Sequence, residues 1–499
     1  MRVLPGGTSG LVFLCLSCTP SLVLGCDELP AGHPLWIRLV APISTYSAQV
    51  GDPLSAVLTQ NVSCGDHVLI PMGTPVQGVV RGRRKVGLGV RHETSALDLE
   101  FNRALVTPDS TVFISARVEE VENAREHIKN GVIHGVTSSD TFQGRINSRL
   151  IHLPTWNPYS DLGLIVFKAT FPIFPEPEIF FPSGTDMRLR TTARISSLVL
   201  TAGQPPEVMP KDSSHPEVWA DQVPWRTTSL KHADADLVNL AFIGSQQQVR
   251  AAFLAAGWRS ANPVSTHSIA RSFYALLNNG AYPEQPLTTL LLHGKPPDMN
   301  WQKSLNTFER RDHLRIWEWL PNGAAEPVWV SSATHDTGAL LSVRYKGFIH
   351  HIAPDIDDER AKVIRDLNFA GCVQSVEYVA RPFGSVITPN ATGDLMRTDG
   401  ALAVVKLKEC QPVSPEISAD SSGSNFKPGN RAFRYLRRDI LTFRSDIFRA
   451  NILYGIYDAG RMTVSALRHR SARLVDSKDT LAVPVQPNTT VAGLKQPED

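Results

Sequence analysis

His313, His335, His350 and His351 fall between Asp312 and Arg360, in segments reading RRDHLRIWEW, PVWVSSATHD and HHIAPDIDDER. Imidazoles and carboxylates gathered in this way suit a divalent metal or a general acid/base pair. On that reading His335, His350 and Asp355 are the candidate metal ligands. His335, Asp336 and His350 are the candidate catalytic groups, with Arg315 to stabilise developing charge. His313, Arg315, Trp317 and His351 form a candidate ligand-binding surface. The spacings match no regular motif such as two histidines four apart on a helix. No cofactor is therefore assigned, and a divalent metal stays open. The acids also have a plainer reading, with Asp355 as an N-cap, Asp357, Asp358 and Glu359 in a helix's first turn, and the histidines pairing with them at a surface.

The elements that must position these groups follow from periodicity. Alternation puts His313, Arg315 and Trp317 on one face of a strand and Leu314 and Ile316 on the other. In the next strand Trp329, Ser331, Ala333 and His335 alternate with Val328 and Val330. Both strands are expected to present histidine on a shared open face. Val363, Ile364 and Leu367 supply the buried stripe of the following helix. Upstream, Asp236–Gly244 reads as a strand and Gln246–Ala256 as a helix ending at Gly257-Trp258. With a last strand over Val373–Ala380, the order is β-α-β-β-α-β, the ferredoxin-like order. An insert from about Asn262 to Thr307 carries a short helix.

These phrases resemble the LssY-like C-terminal domain of bacterial envelope proteins over about Leu237 to Leu407, through NLAFIGS, AAGW, GKPPDMNWQ, DHLRIW, VWVSSATHD and HHIAPDIDDER. In that family the domain is often joined to membrane phosphatase-type or transport domains, and no phosphatase module accompanies it here. The resemblance implies kinship rather than a reaction.

Leu35 to Thr201 reads as short alternating strands separated by turn signals. Ile70-Pro71-Met72-Gly73-Thr74 recurs approximately as Phe181-Pro182-Ser183-Gly184-Thr185, which suggests a duplicated strand–turn unit with type II-like turns. Together with Gly51–Leu58, Gly87–Arg91 and the Pro108-Asp109 turn, this order resembles the TrbI-like β-barrel of type IV secretion channel scaffolds over roughly 90 residues, without that family's antenna helices. The resemblance implies a barrel and not a channel. The expected fold is therefore α+β and multidomain, with an all-β barrel-like domain (26–202) followed by a ferredoxin-like (βαββαβ) α/β sandwich with an insertion (234–412).

Residues 1–25 look like a secretory signal: Arg2 precedes the uncharged apolar run Leu11–Leu24. Val23-Leu24-Gly25-Cys26 resembles a lipobox with Cys26 as the acylated residue, and ordinary cleavage after Gly25 is the rival reading. Export leaves Cys26, Cys64, Cys372 and Cys410 in an oxidising compartment with three possible pairings. Cys372 and Cys410 sit in one domain and can pair whichever way Cys26 goes. Residues 203–233 and 413–430 read as linkers and 471–499 as a disordered tail. Between them, residues 431–470 hold a basic amphipathic helix in which Phe433, Leu436, Ile440, Phe443 and Ile447 are flanked by arginines. Its 431–456 part lies either on an anionic membrane surface or against the protein's own β-domain.

A formal charge of +2 over 499 residues makes no electrostatic case for nucleic acid. The expected setting is the cell envelope, facing the periplasm, with the membrane surface and envelope proteins as partners. Two functions fit: a binding or assembly module, or a metal-assisted or phosphatase-like hydrolase using the His/Asp cluster. No nucleophile elbow, phosphate loop or regular zinc motif supports the second.

Overall fold

The computed structural model describes residues 28–64, 67–87, 94–107, 110–136, 178–196, 219–277, 280–342, 347–382, 384–411 and 464. The expected signal, the Cys26 lipidation site, the Gly87–Arg91 turn from residue 88 on, the Pro108-Asp109 turn, residues 203–218 of the first linker, the second linker, the basic helix apart from residue 464, and the tail lie outside them. The described chain is mostly β, with few helices. Among the described residues no helix is long and apolar enough to cross a membrane.

The first unit is a closed six-stranded antiparallel barrel. Its strands are β1 (Pro34–Leu39), β2 (Pro53–Leu58), β3 (Pro75–Arg84), β4 (Ala96–Thr107), β5 (Ser110–Val121) and β6 (Asp186–Thr191), in the order β4-β3-β2-β1-β6-β5 with β5 returning to β4. Alternation sets its inside: Leu35, Ile37 and Leu39 are buried while Trp36 and Arg38 between them face outward. Closure leaves these strands without a free edge. The two similar phrases fold alike. Gly73 (φ 86°) and Gly184 (φ 84°) take the left-handed conformation that a type II turn needs at its third position. In each turn the threonine hydroxyl donates to the proline carbonyl at 2.7 Å. In each, too, the glycine N–H donates to the last residue of a paired barrel strand, Gly73 to Leu58 O of β2 at 2.8 Å and Gly184 to Leu39 O of β1 at 2.7 Å.

The second unit comprises β7 (Leu240–Ile243), α1 (Gln246–Ala255), α2 (Thr266–Leu277), β8 (Met299–Ser304), β9 (Arg311–Trp319), β10 (Val328–Ser342), β11 (Gly347–Ile352), α3 (Ile356–Phe369), β12 (Val373–Val379) and β13 (Leu402–Leu407). A capping box starts α1: Ser245 Oγ accepts from Gln248 N at 3.2 Å and Gln248 Oε1 from Ser245 N at 2.8 Å. The apolar faces of α1 and α3 cover one side of the sheet, burying Phe253, Trp258, Trp301, Leu314, Val363 and Leu367. Trp219, Val223 and Trp317 fill the other side. The stretch expected as a linker, 203–233, therefore contributes core from Trp219 onward, because a fully buried tryptophan belongs to a packed unit.

The sheet order is β8-β9-β10-β7-β13-β12, with β11 also pairing with β10. This does not confirm the ferredoxin-like arrangement, which would set the strand after α3 beside β7. Instead β13 lies between them, parallel to β7 through Leu240↔Ala403 and antiparallel to β12 through Val376↔Val405. A disulfide joins Cys372 to Cys410 and so ties the start of β12 to the chain beyond β13. Cys64 is disulfide-bonded as well.

Candidate functional site: the cleft between barrel and sheet

Directly paired residues of antiparallel strands share a face, so register decides which groups meet. The β9–β10 register sets Asp312 opposite His335 and Arg311 opposite Asp336. Asp312 and His335 therefore look toward α3. Arg311, His313, Arg315, Trp317 and Asp336 look the other way. The expected shared histidine face does not form.

On the α3 side, His335 Nδ1 donates to Asp312 Oδ1 at 2.7 Å, and Asp312 Oδ2 accepts from Asn123 Nδ2 at 2.7 Å. Asn123 reaches across from the barrel, just beyond β5, in a left-handed conformation (φ 58°) that asparagine tolerates better than most residues. The first turn of α3 adds Glu359. One ligand atom from each of Asp312, His335 and Glu359 can be chosen so that all three lie within 4.8 Å of one another. Burial would raise the Asp312 carboxyl, but the His335 hydrogen bond and the charges of His335 and Lys362 outweigh it and hold it well below the usual range. Burial would lower His335, yet bonding to Asp312 raises it. Burial and the adjoining Asp312 charge both push the Glu359 carboxyl well up.

This cluster lines a cleft of about 700 Å³. The barrel supplies Trp36, Glu120, Glu122 and Arg188 to its walls, and the second unit supplies Asp355, Asp358, Arg365, Tyr378 and Arg397. A buried ionic network ties the walls together. Asp186 on β6 meets Lys303 at 2.6 Å, Arg38 at 2.7 Å and Lys362 at 3.5 Å, and Asp366 on α3 meets Lys362 at 2.7 Å, Lys303 at 3.0 Å and Arg38 at 3.3 Å. Glu122 meets Lys362 at 2.9 Å and Arg365 at 2.8 Å.

The remaining candidates sit elsewhere. Asp336 Oδ2 accepts from Arg311 Nε at 2.8 Å and faces His313 Nδ1 at 3.5 Å and His350 Nδ1 at 3.4 Å. The Gln285 amide lies 3.1 Å from His350 Nε2, so that nitrogen accepts and the proton faces Asp336. Burial drives His313 down to about 3 and His350 down to about 4, which keeps both rings neutral. Arg315 donates to Thr288 O at 3.0 Å and lies 3.4 Å from Asp236, while Trp317 Nε1 donates to Lys295 O at 3.1 Å. Both side chains are buried. His351 pairs with Asp394 at 2.7 Å. Asp355 precedes α3 without a capping side-chain bond and lines the cleft, 3.8 Å from Arg397. The expected set of His335, His350 and Asp336 is thus split across the sheet, and Asp355 remains with His335 on the cleft side.

The groups that replace them were Asp312, Glu359 and Asn123. A signal for Glu359 exists. Glu359, Lys362 and Asp366 recur at helical spacing on the same buried side as Ile356, Val363 and Leu367, and charge on a buried stripe points to a partner.

Residues 220–402 match the family described as LssY C-terminus. The LssY C-terminus match covers β7 through β12, and with them the strands and helix that carry Asp312, His335 and Glu359. No curated protein matches the chain. Among solved structures, ComB10 of the Com type IV secretion system of Helicobacter pylori is similar over 34% of this chain and 89% of that one, at 14% identity and a TM-score of 0.20.

Proposed function

We propose that the chain is an exported cell-envelope protein that works as a binding module, seating its ligand in the cleft between the barrel and the LssY C-terminus region. The observation that carries this reading is the cleft itself. Both units wall it, charges of both signs and the Trp36 and Tyr378 rings line it, and a hydrogen-bonded Asp312–His335 pair forms its floor. The disulfides at Cys372–Cys410 and Cys64 favour an oxidising compartment. Membrane attachment through a Cys26 lipid or the 431–456 helix, and partners among envelope proteins, complete the proposal.

The hydrolase reading keeps one specific support. The Glu359 carboxyl is pushed up while the adjoining Asp312 carboxyl is held down, a separation that suits acid and base roles.

The test has two parts. Cell fractionation with mass analysis of the mature N-terminus is expected to place the chain in the envelope starting at residue 26, and a cytoplasmic chain retaining Met1 would overturn export. Thermal-shift series with phosphate esters and dicarboxylates are expected to find compounds that stabilise the wild type but not Arg397→Ala or Trp36→Ala. Equal shifts in all three proteins, or none in any, would remove the cleft as the binding site.

A further inference from the structure

We propose that Asp312, His335 and Glu359 form a divalent-cation site at the floor of the cleft, with a donor set suited to zinc or manganese. This deepens the cleft reading, although the cation needs no cleft ligand in order to bind.

Geometry is the first support. The three ligand atoms lie within 4.8 Å of one another, and bonds of about 2.0–2.2 Å set tetrahedral donors roughly 3.3–3.6 Å apart. Closing around an ion therefore takes side-chain movements of about an ångström. The donors come from β9, β10 and α3, elements fixed by the core beneath them, so the cluster is held by the fold and not by a loop.

The second support is Glu359 itself. It is 4% exposed, and its Oε1 has no hydrogen-bond partner. Buried carboxylate oxygens are seldom left without a donor. The nearest cation on its helix, Lys362, is taken by Asp366 and Glu122. A cation between Glu359 and Asp312 would supply the missing partner.

Two further features fit. Asn123 holds the second oxygen of Asp312 at 2.7 Å, as outer partners commonly orient a ligating carboxylate. The His335 side chain is 25% exposed toward the cleft, so the ion would keep positions open to water or to a cleft ligand.

Ligands must be deprotonated to bind. The charges of Asp312, Lys362 and Glu122 act on Glu359, and those of Asp312, Asp336 and Glu120 act on His335.

The test uses the full chain stripped with a chelator, dialysed, and titrated with zinc or manganese by calorimetry, with metal content read by mass spectrometry. One equivalent is expected to bind. Glu359→Gln, which keeps shape and removes charge, is expected to weaken binding by at least about tenfold, and His335→Ala likewise. If His335→Ala does not fold, Glu359→Gln decides alone. No binding to the wild type, or one-equivalent binding left unchanged by Glu359→Gln, would overturn the site. Arg397→Ala and Trp36→Ala are expected to keep the metal, so failure of the cleft reading and failure of the metal site can be told apart.

Discussion

His335 and His350 differ in what surrounds the ring, and protonation therefore moves stability in opposite directions. His350 is driven down to about 4, and His313 to about 3, from an ordinary 6.5. Below about pH 6.5 the unfolded chain takes up protons that these folded rings refuse, so their contribution is complete above that pH and is lost as pH falls toward 4. His335 is raised. Its contribution is complete below about pH 6.5 and is lost as pH rises through its folded value. Urea midpoints measured from pH 4 to 8 are expected to show His350→Gln flattening the acid side and His335→Ala flattening the alkaline side, each by up to roughly 1.4 kcal/mol per pH unit. A profile identical to wild type in both variants would contradict the two assignments. The residue types of this region were legible in the sequence, and so was the alternation that separates His313 from Leu314. What a single strand's pattern does not contain is its offset against the next strand. An offset of one residue would have placed His313 beside His335. The actual register gave that place to Asp312.

At the scale of elements, the turn between α3 and β12 rests on one glycine. Gly371 (φ 70°) follows the helix, where its N–H donates to Asn368 O at 2.9 Å and Cys372 N to Leu367 O at 3.1 Å. A Cβ at this position would stand 1.6 Å from Gln411 O. Gly371→Ala is therefore expected to destabilise by more than the roughly 1 kcal/mol of left-handed strain alone, because the backbone beside the Cys372–Cys410 bridge must also move. Chemical denaturation together with a free-thiol assay checks this, and an unchanged midpoint would show that the turn has room the structure denies it. Strands and helices of this unit were readable from period and caps, as the Ser245 box shows. Their order was not. The Leu402–Leu407 run has the near-continuous burial of a central parallel strand, and the ferredoxin-like order, which ends at the strand over Val373–Ala380, leaves it out. Periodicity reports how a strand is covered but not which strand lies beside it.

For the whole molecule, the contact between barrel and sheet is ionic at its centre. Asp186 is held well below the usual carboxylate range: burial opposes ionisation, and Lys303, Arg38 and Lys362 outweigh it. Asp186→Asn would leave those cations buried against a neutral group, at a cost of about 3–5 kcal/mol, readable as a lower urea midpoint. A loss under about 1 kcal/mol would mean that the two units hold together by other means. Nothing in the local sequence announced this network, since Asp186, Lys303 and Asp366 meet only after two separate units have folded. The placement of β13 sets a further condition, one of time. Residues 402–407 fill the middle of a sheet whose β7 is formed by residues 240–243. In a chain synthesised from its N-terminus, β7 waits with one flank unpaired until the late segment arrives. Such distant pairing is slow, and a waiting strand is a template for neighbouring chains. That flank is open to such pairing in the interval, an exposure that the finished fold no longer shows.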